Sequence, residues 1–230
     1  ACGGVTADIG GWQPASEAIQ ACLDATPSGG ERALPAGTYR VTSLVRVGRG
    51  IRLHTAGVGE GEPACLVGGA PACATLRADN NLDVVRGFVQ IEDSDVTLEH
   101  VVIDGNRQAR RASAAASRCA GGTNGPGFNA ISAGGGNCTL LMSATVHALC
   151  GTGFEGNGRG AFIGGNLVRD NGDHDPANMW ADGITVTVTE EARVVSNYFS
   201  NNSDVDLILG SNRGGVVRQN AIVHDRQDSF

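Results

Sequence analysis

The strongest constraint on this chain is that it repeats. The segment Ala192-Arg-Val194-Val-Ser-Asn197-Tyr-Phe199 returns 23 residues later as Gly215-Val-Val217-Arg-Gln-Asn220-Ala-Ile222, so that a small residue, an apolar residue, Asn and a second apolar residue coincide. A step back of 31 residues gives Ala161-Phe-Ile163-Gly-Gly-Asn166-Leu-Val168, and a further 23 gives Cys138-Thr-Leu140-Leu-Met-Ser143-Ala-Thr145. Another 42 reaches a fifth copy, Val96-Thr-Leu98-Glu-His-Val101-Val-Ile103. A second column of short apolar segments precedes the copies: Val89 to Ile91, Ala130 to Ser132, Phe154, Ile184 to Val188 and Leu207 to Leu209. Within it Ile184, Val186 and Val188 alternate with Thr185 and Thr187, the period of a strand with one buried face. A unit of about 23 residues cannot bury its apolar face alone and does so by stacking on its neighbours, which predicts a parallel β-solenoid.

Composition agrees with many short strands and turns. Glycine accounts for 35 of the 230 residues, while aromatics are 4 % and charged residues 18 %, and no Gly-X-Y period suggests collagen. Asn166, Asn197 and Asn220 share one column at a turn, where stacked amides can bond backbone and each other. Sugar binding is the rival role for them. Two irregular offsets mark insertions hanging off single rungs, at residues 105–126 and 170–181. Ser16-Glu-Ala-Ile19-Gln-Ala-Cys22-Leu23 has Ser at an N-cap position and apolar residues at helical spacing, predicting an amphipathic helix over about 16–25 that caps the core. The expected organisation is one domain, 1–230, with a cap over 1–38 and rungs over 39–230. The far end shows no element to cover an open core, so an oligomeric partner or a further C-terminal segment is expected there.

Net charge is −7, which provides no broad footprint for nucleic acid or an anionic membrane. No apolar run approaches the ~20 residues of a membrane span. All 17 basic residues are Arg, so Schiff-base chemistry through lysine is excluded. The seven cysteines lack Cys-x-x-Cys spacing and read as disulfide formers rather than zinc ligands. Cys65 with Cys73 is the favoured pair, Cys2 with Cys22 the next, and the odd count leaves one thiol free. Together with the Ala-Cys start, this predicts a secreted protein.

The helix, the Gly29-Gly30 turn and Leu34-Pro35-Ala-Gly37-Thr-Tyr39 resemble the N-terminal cap of the pectin-lyase-like superfamily, which includes pectate lyases, polygalacturonases and phage tailspikes. The resemblance implies an all-β, single-stranded right-handed parallel β-helix. It leaves the activity open, since one fold hosts many chemistries.

Residues one rung apart become neighbours ~4.8 Å apart. Asp182 is followed at 22 and 24 residues by Asp204 and Asp206, offsets that bracket one rung and predict a three-carboxylate cluster on the outer wall. Two ionised carboxylates ~5 Å apart repel by about 3 kcal/mol at an effective dielectric of ~20, so one should keep its proton. A protonated acid beside an ionised one is what glycoside hydrolysis uses. Calcium bound by Asp182, Asp204 and Asp206 would relieve the same repulsion, and turn capping is the plain alternative. The cluster looks like the polygalacturonase pattern of Asn-Thr-Asp-Gly followed by Asp-Asp. Here Trp-Ala replaces Asn-Thr, Val205 splits the pair, His224 falls near the family's histidine, and its Arg-Ile-Lys is missing. Simple alternation would turn Asp182 to the side of Ile184 unless Gly183 bends the backbone.

Trp180 is placed to stack on a sugar ring. Glu155, Gln90 and Thr185 are expected on the solvent side of one strand column, as a groove floor for an extended polymer. Arg213, Arg218 and Arg226 are candidates for binding a uronate, and His174 for acid, base or ligand chemistry. The reading is a secreted carbohydrate-active β-helix that hydrolyses glycosidic bonds of a polysaccharide without a required cofactor. The alternatives are a calcium-dependent polysaccharide lyase and a non-catalytic glycan-binding fibre, adhesin or tailspike segment.

Overall fold

The computed structural model describes residues 7–63, 65, 73–84, 86–119, 128–134, 136–157, 159–173, 179–187 and 190–225. Its strands form three parallel sheets of eight, seven and six members. Successive turns of chain place one strand in each. Gly151–Asn157, Phe162–Gly164 and Leu167–Arg169 make one rung, and Ala181–Thr187, Arg193–Val195 and Tyr198–Ser200 make the next. The fold is a right-handed parallel β-helix with an N-terminal capping helix, as the repeat and the cap motif imply.

All five copies of the repeat stack in register. Leu53, Leu98, Leu140, Ile163 and Val194 follow one another up the seven-stranded sheet, each fully buried. Val45, Val89, Ile131, Phe154 and Ile184 do the same in the six-stranded sheet, and Tyr39, Leu76, Ile103, Thr145, Val168 and Phe199 in the eight-stranded one. Each apolar side chain so buried is worth ~1.5–3 kcal/mol against exposure, so the stacking that pairs the backbones also creates the core. In the last rung these rows reach the surface, with Val217 47 % and Ile222 54 % exposed.

The corners use left-handed backbone. Between the seven- and eight-stranded sheets, His100, Met142, Gly165, Ser196 and Gln219 all have φ between 47° and 65°. Four of the five are not glycine, and each such residue carries a strain of ~1–2 kcal/mol. The ladder that follows them offsets it. Oδ1 of Asn197 accepts from the backbone N–H of Asn166 at 3.0 Å and from its Nδ2 at 2.9 Å, while Asn197 Nδ2 donates to the Ile163 carbonyl at 3.0 Å. Asn220 repeats this one rung on. A second ladder, not foreseen, lies at the exit of the eight-stranded sheet. There Asp170 and Asn201 are left-handed, and Asn171 Nδ2 donates to Asn202 Oδ1 at 2.8 Å.

The helix is Ser16–Asp24 and packs Ile19 and Leu23 on the first rung. Ser16 is not its N-cap; Ala15 is, and the Ser16 hydroxyl accepts from the N–H groups of Thr42 and Ser43 instead. Within the 105–126 insertion the chain forms two short helices, Arg107–Arg110 and Ala114–Cys119, rather than a plain loop. Ala115 and Ala116 pack with Phe128, Leu149 and Met179, so this insertion leans on the 170–181 one. Arg110 is buried and pins the insertion by donating to the carbonyls of Leu82 and Gly105, and burial pushes its guanidinium down to about 10.

Cys65 pairs with Cys73 as expected, with Cα atoms 5.4 Å apart, and Cys119 pairs with Cys150 at 6.0 Å. Cys22 is disulfide-bonded; its expected partner Cys2 lies outside the described residues. Cys138 is the free thiol among the described residues, and burial raises it to about 12. Disulfides of this kind persist in oxidising surroundings. Among the described residues, no helix is long and apolar enough to cross a membrane.

Replacing Asn197 with Ala strands several buried polar groups at once, each worth ~1–3 kcal/mol. Urea unfolding of Asn197→Ala should show a loss of about 2–4 kcal/mol, whereas Asn220→Ala on the half-exposed last rung should lose clearly less.

Candidate active site

Asp182 lies near the start of Ala181–Thr187, the fifth strand of the six-stranded sheet counted from the cap. Strand alternation would point it inward with Ile184, but the pleat breaks at Gly183. The N–H groups of Gly183 and Ile184 are consecutive, yet both donate to the next rung, to the carbonyls of Val205 and Asp206 at 2.9 Å each. Gly183 and Ile184 are accordingly both buried, and Asp182 stays half-exposed on the outer wall beside Thr185. Gly183 is required here because a Cβ would sit 2.5 Å from the Asp206 carbonyl oxygen.

The Asp182 carboxylate accepts from the Thr185 hydroxyl at 2.7 Å and from the Val205 N–H at 3.3 Å. Burial still dominates and raises its pKa above the usual Asp value; those two bonds oppose the rise, and the charge of Asp204 adds to it. Asp182 is thus a half-exposed carboxyl group with a raised pKa beside a second acid.

Asp206 departs from expectation. The register pairs Ile184 with Leu207, which sets Val205 beside Asp182 and Asp206 beside Gly183. Gly183 and, one rung earlier, Gly153 occupy an inward position where the ladder amides of Asn202 and Asn171 fill the space a side chain would take. Asp206 takes that same inward position on the following rung. It is buried at 4 % exposure, accepts from Asn202 Nδ2 at 2.7 Å and meets His224 Nε2 at 2.6 Å. The three acids therefore divide into an outer pair, Asp182 with Asp204, and an inner pair, Asp206 with His224. They do not form the single set that calcium would need, and among the described residues no group of three His, Cys, Asp or Glu side chains is arranged to hold a metal ion.

The expected row on this strand column is in register. Gln90, Ser132, Glu155 and Thr185 stand in register on four successive strands of the same wall, each half-buried. Asn129, which the sequence reading missed, holds Glu155 by donating to Oε2 at 2.5 Å. Only its place a few residues before the strand hinted at this. Trp180 is 40 % exposed next to Asp182, and its carbonyl accepts from the Gly151 N–H.

The arginines lie elsewhere. Arg218 is exposed at the end of Val216–Arg218 in the seven-stranded sheet, and Arg213 sits in the preceding turn, where its backbone forms an isolated parallel β-bridge with Glu190. Neither is on the wall that carries Asp182. Three sheets turn the chain through three directions per rung, so proximity in sequence to Asp206 does not bring them to its side. His174 and Arg226 lie outside the described residues.

No family model matches the chain, and no curated protein matches it either. Solved structures of the same fold do. A protein from Parabacteroides merdae, provisionally classed as a glycosyl hydrolase, superposes with a TM-score of 0.69 at 14 % identity over 95 % of this chain and 92 % of its own. The ORF18 protein of Geobacillus virus E2 superposes with a TM-score of 0.58 at 18 % identity, and 95 % of this chain corresponds to 39 % of that one. The A-module of a mannuronan C-5 epimerase from Azotobacter vinelandii gives 0.44 at 14 % identity, over 95 % of this chain and 79 % of the module. At such identities it is the fold alone that the first two share with this chain.

A carboxyl-resolved NMR titration checks the electrostatics. Asp182 should titrate above the ordinary Asp range, and Asp204→Asn should move its midpoint to lower pH by removing the like charge. A midpoint unmoved by Asp204→Asn would show that the two acids do not face each other.

Proposed function

We propose that this chain is a secreted carbohydrate-active β-helix that hydrolyses glycosidic bonds of a polysaccharide. Asp182 is the general acid and Asp204 the neighbouring carboxyl group that activates water. The observation that carries the reading is the outward Asp182, placed on the wall by the break at Gly183 and held toward its protonated form by burial and by Asp204. Protonation of the leaving oxygen and activation of water need two carboxyl groups side by side. Trp180 at the edge of the site offers an indole face to a sugar ring. The row of Thr185, Glu155, Ser132 and Gln90 runs away from Asp182 across successive rungs, a run of hydroxyl, carboxylate and amide groups suited to successive sugar units.

Asp206 and His224 act as positioning residues. Asp206 accepts from Asn202, two residues before Asp204, and His224 braces it from the last rung. The disulfides suit a secreted protein, and the provisional class of the Parabacteroides merdae protein is of the same kind.

The test is a panel of neutral and acidic polysaccharides assayed for reducing ends and for ultraviolet absorbance, with and without EDTA. Expected is cleavage that makes no absorbing product and survives EDTA, with Asp182→Asn lowering kcat by about 10²–10⁴-fold. An absorbing product whose formation EDTA stops would replace hydrolysis by calcium-dependent elimination. Saturable glycan binding without turnover of any polymer would make the chain a binding module.

A further inference from the structure

A cleft of about 610 Å³ that the proposed reaction does not use lies on a different face. It lies against the first rungs of the eight-stranded sheet, where Arg40 and Arg77 stand in register on neighbouring strands. Both guanidinium groups are neutralised from below. Arg40 Nε donates to Asp79 at 2.7 Å, and Arg77 Nε donates to Asp104 at 2.8 Å. Asp104 is itself fixed: burial raises its pKa, but the hydrogen bond and charge of His147, the Asn106 N–H and Arg77 outweigh that and hold it below the usual range. The cleft therefore presents two charge-balanced pairs.

Hydrogen-bonding groups remain unspent on this surface. The outer guanidinium nitrogens of Arg77 have no partner among the described residues. Asn106 uses its Nδ2 on the Ala78 carbonyl at 2.8 Å and on Asn80 Oδ1 at 3.1 Å, which leaves its own Oδ1 and the Asn80 amide N–H groups, both in residues that line the cleft, without a partner among the described residues.

An exposed indole stands at the lip. Trp12 is 81 % exposed, the highest value of any large apolar side chain described, and exposure of an indole at that level gains the fold nothing. Yet its backbone is held firmly. The Asp8 carboxylate accepts from the N–H groups of Gly10, Trp12 and Gln13 at 2.7–2.9 Å, and Arg40 donates to the Trp12 carbonyl at 3.0 Å. The indole lies over Gly10, which lines the cleft, so closely that a Cβ there would come within 2.9 Å of it.

A rigid exposed aromatic face beside planar amide and guanidinium groups with no net charge is the chemistry that recognises pyranose rings through stacking and paired hydroxyl bonds. We propose that this cleft is a second glycan-binding site, separate from Asp182, that takes neutral hexose or pentose units, with Trp12 as the stacking platform and Arg77 as the principal donor. It builds on the reading of the chain as acting on a polysaccharide, and gives it an anchoring surface for neutral stretches of the polymer.

Tryptophan fluorescence tests this, because the chain has only two Trp residues. In Trp180→Phe the signal comes from Trp12 alone, and it is titrated with neutral cello-, xylo- and manno-oligosaccharides and with oligogalacturonates. Expected is a saturable change with a neutral oligosaccharide that is the same in 0.05 and 0.5 M NaCl, weakens about tenfold in Arg77→Gln and is unaltered by adding Asp182→Asn. Isothermal calorimetry of Trp12→Ala should show that binding component gone, with circular dichroism confirming the fold. No response from Trp12 to any neutral sugar, a response to uronates alone that salt abolishes, or binding retained in Trp12→Ala would overturn the proposal. Polymer cleavage by the unaltered protein with an unresponsive Trp12 in Trp180→Phe would sink this site and spare the catalytic one; a responsive Trp12 with no cleavage by the unaltered protein would do the reverse.

Discussion

Everything in this molecule hangs on the corner between the seven- and eight-stranded sheets. A β-helix must turn sharply with only a residue or two to do it, and the available turn is a left-handed residue, which is costly for anything but glycine. Here that residue is His100, Met142, Ser196 or Gln219 in four rungs of five. Asn166 and Asn197, each just after its corner residue, use all of their amides on backbone and on the counterpart above, so the corner of one rung is completed by the next. Stacking is thus cooperative in a specific sense: no rung has a satisfied corner by itself. The apolar rows beneath follow from the same registration, since a shift of one residue would turn every inward side chain to solvent.

The candidate site exists because that regularity fails in one place. Consecutive N–H groups at Gly183 and Ile184 both bond upward, and the lost alternation turns Asp182 to the outside while its neighbours stay inside. The same local geometry explains Asp206. Its position is glycine in the two preceding rungs, where ladder amides fill the gap, and a carboxylate there meets the Asn202 amide rather than solvent. One backbone irregularity therefore sorts three acids that look alike in sequence into an outer pair and an inner one. The N-terminal cleft follows a different logic, with ion pairs closing the charge of Arg40 and Arg77 and a rigid turn holding Trp12 in water.

Much of the scaffold was legible in the residues. The five repeat copies, the two strand columns, the Asn166–Asn197–Asn220 ladder, the capping helix and the Cys65–Cys73 bond all depend on local spacing, and spacing survives in a sequence. The Asn171–Asn202 ladder was equally visible, at the same 31-residue offset, but lay at the mouth of an insertion that hid the column. Ser16 differs from its expected role because a hydroxyl near a helix start looks like a cap whether it serves the helix or, as here, the chain at Thr42 and Ser43 beside it.

Sequence alone determined that this chain is a stack of ~23-residue rungs and which side chains share a row, because hydrophobic periodicity and backbone pairing are nearest-neighbour effects. Tertiary structure alone decided which acid faces water, that Arg213 and Arg218 stand on another wall, and that Trp12 borders a cleft built from four separate segments. Those outcomes rest on the direction of a single pleat and on which of three faces a residue reaches, and neither is encoded by how far apart two residues lie along the chain.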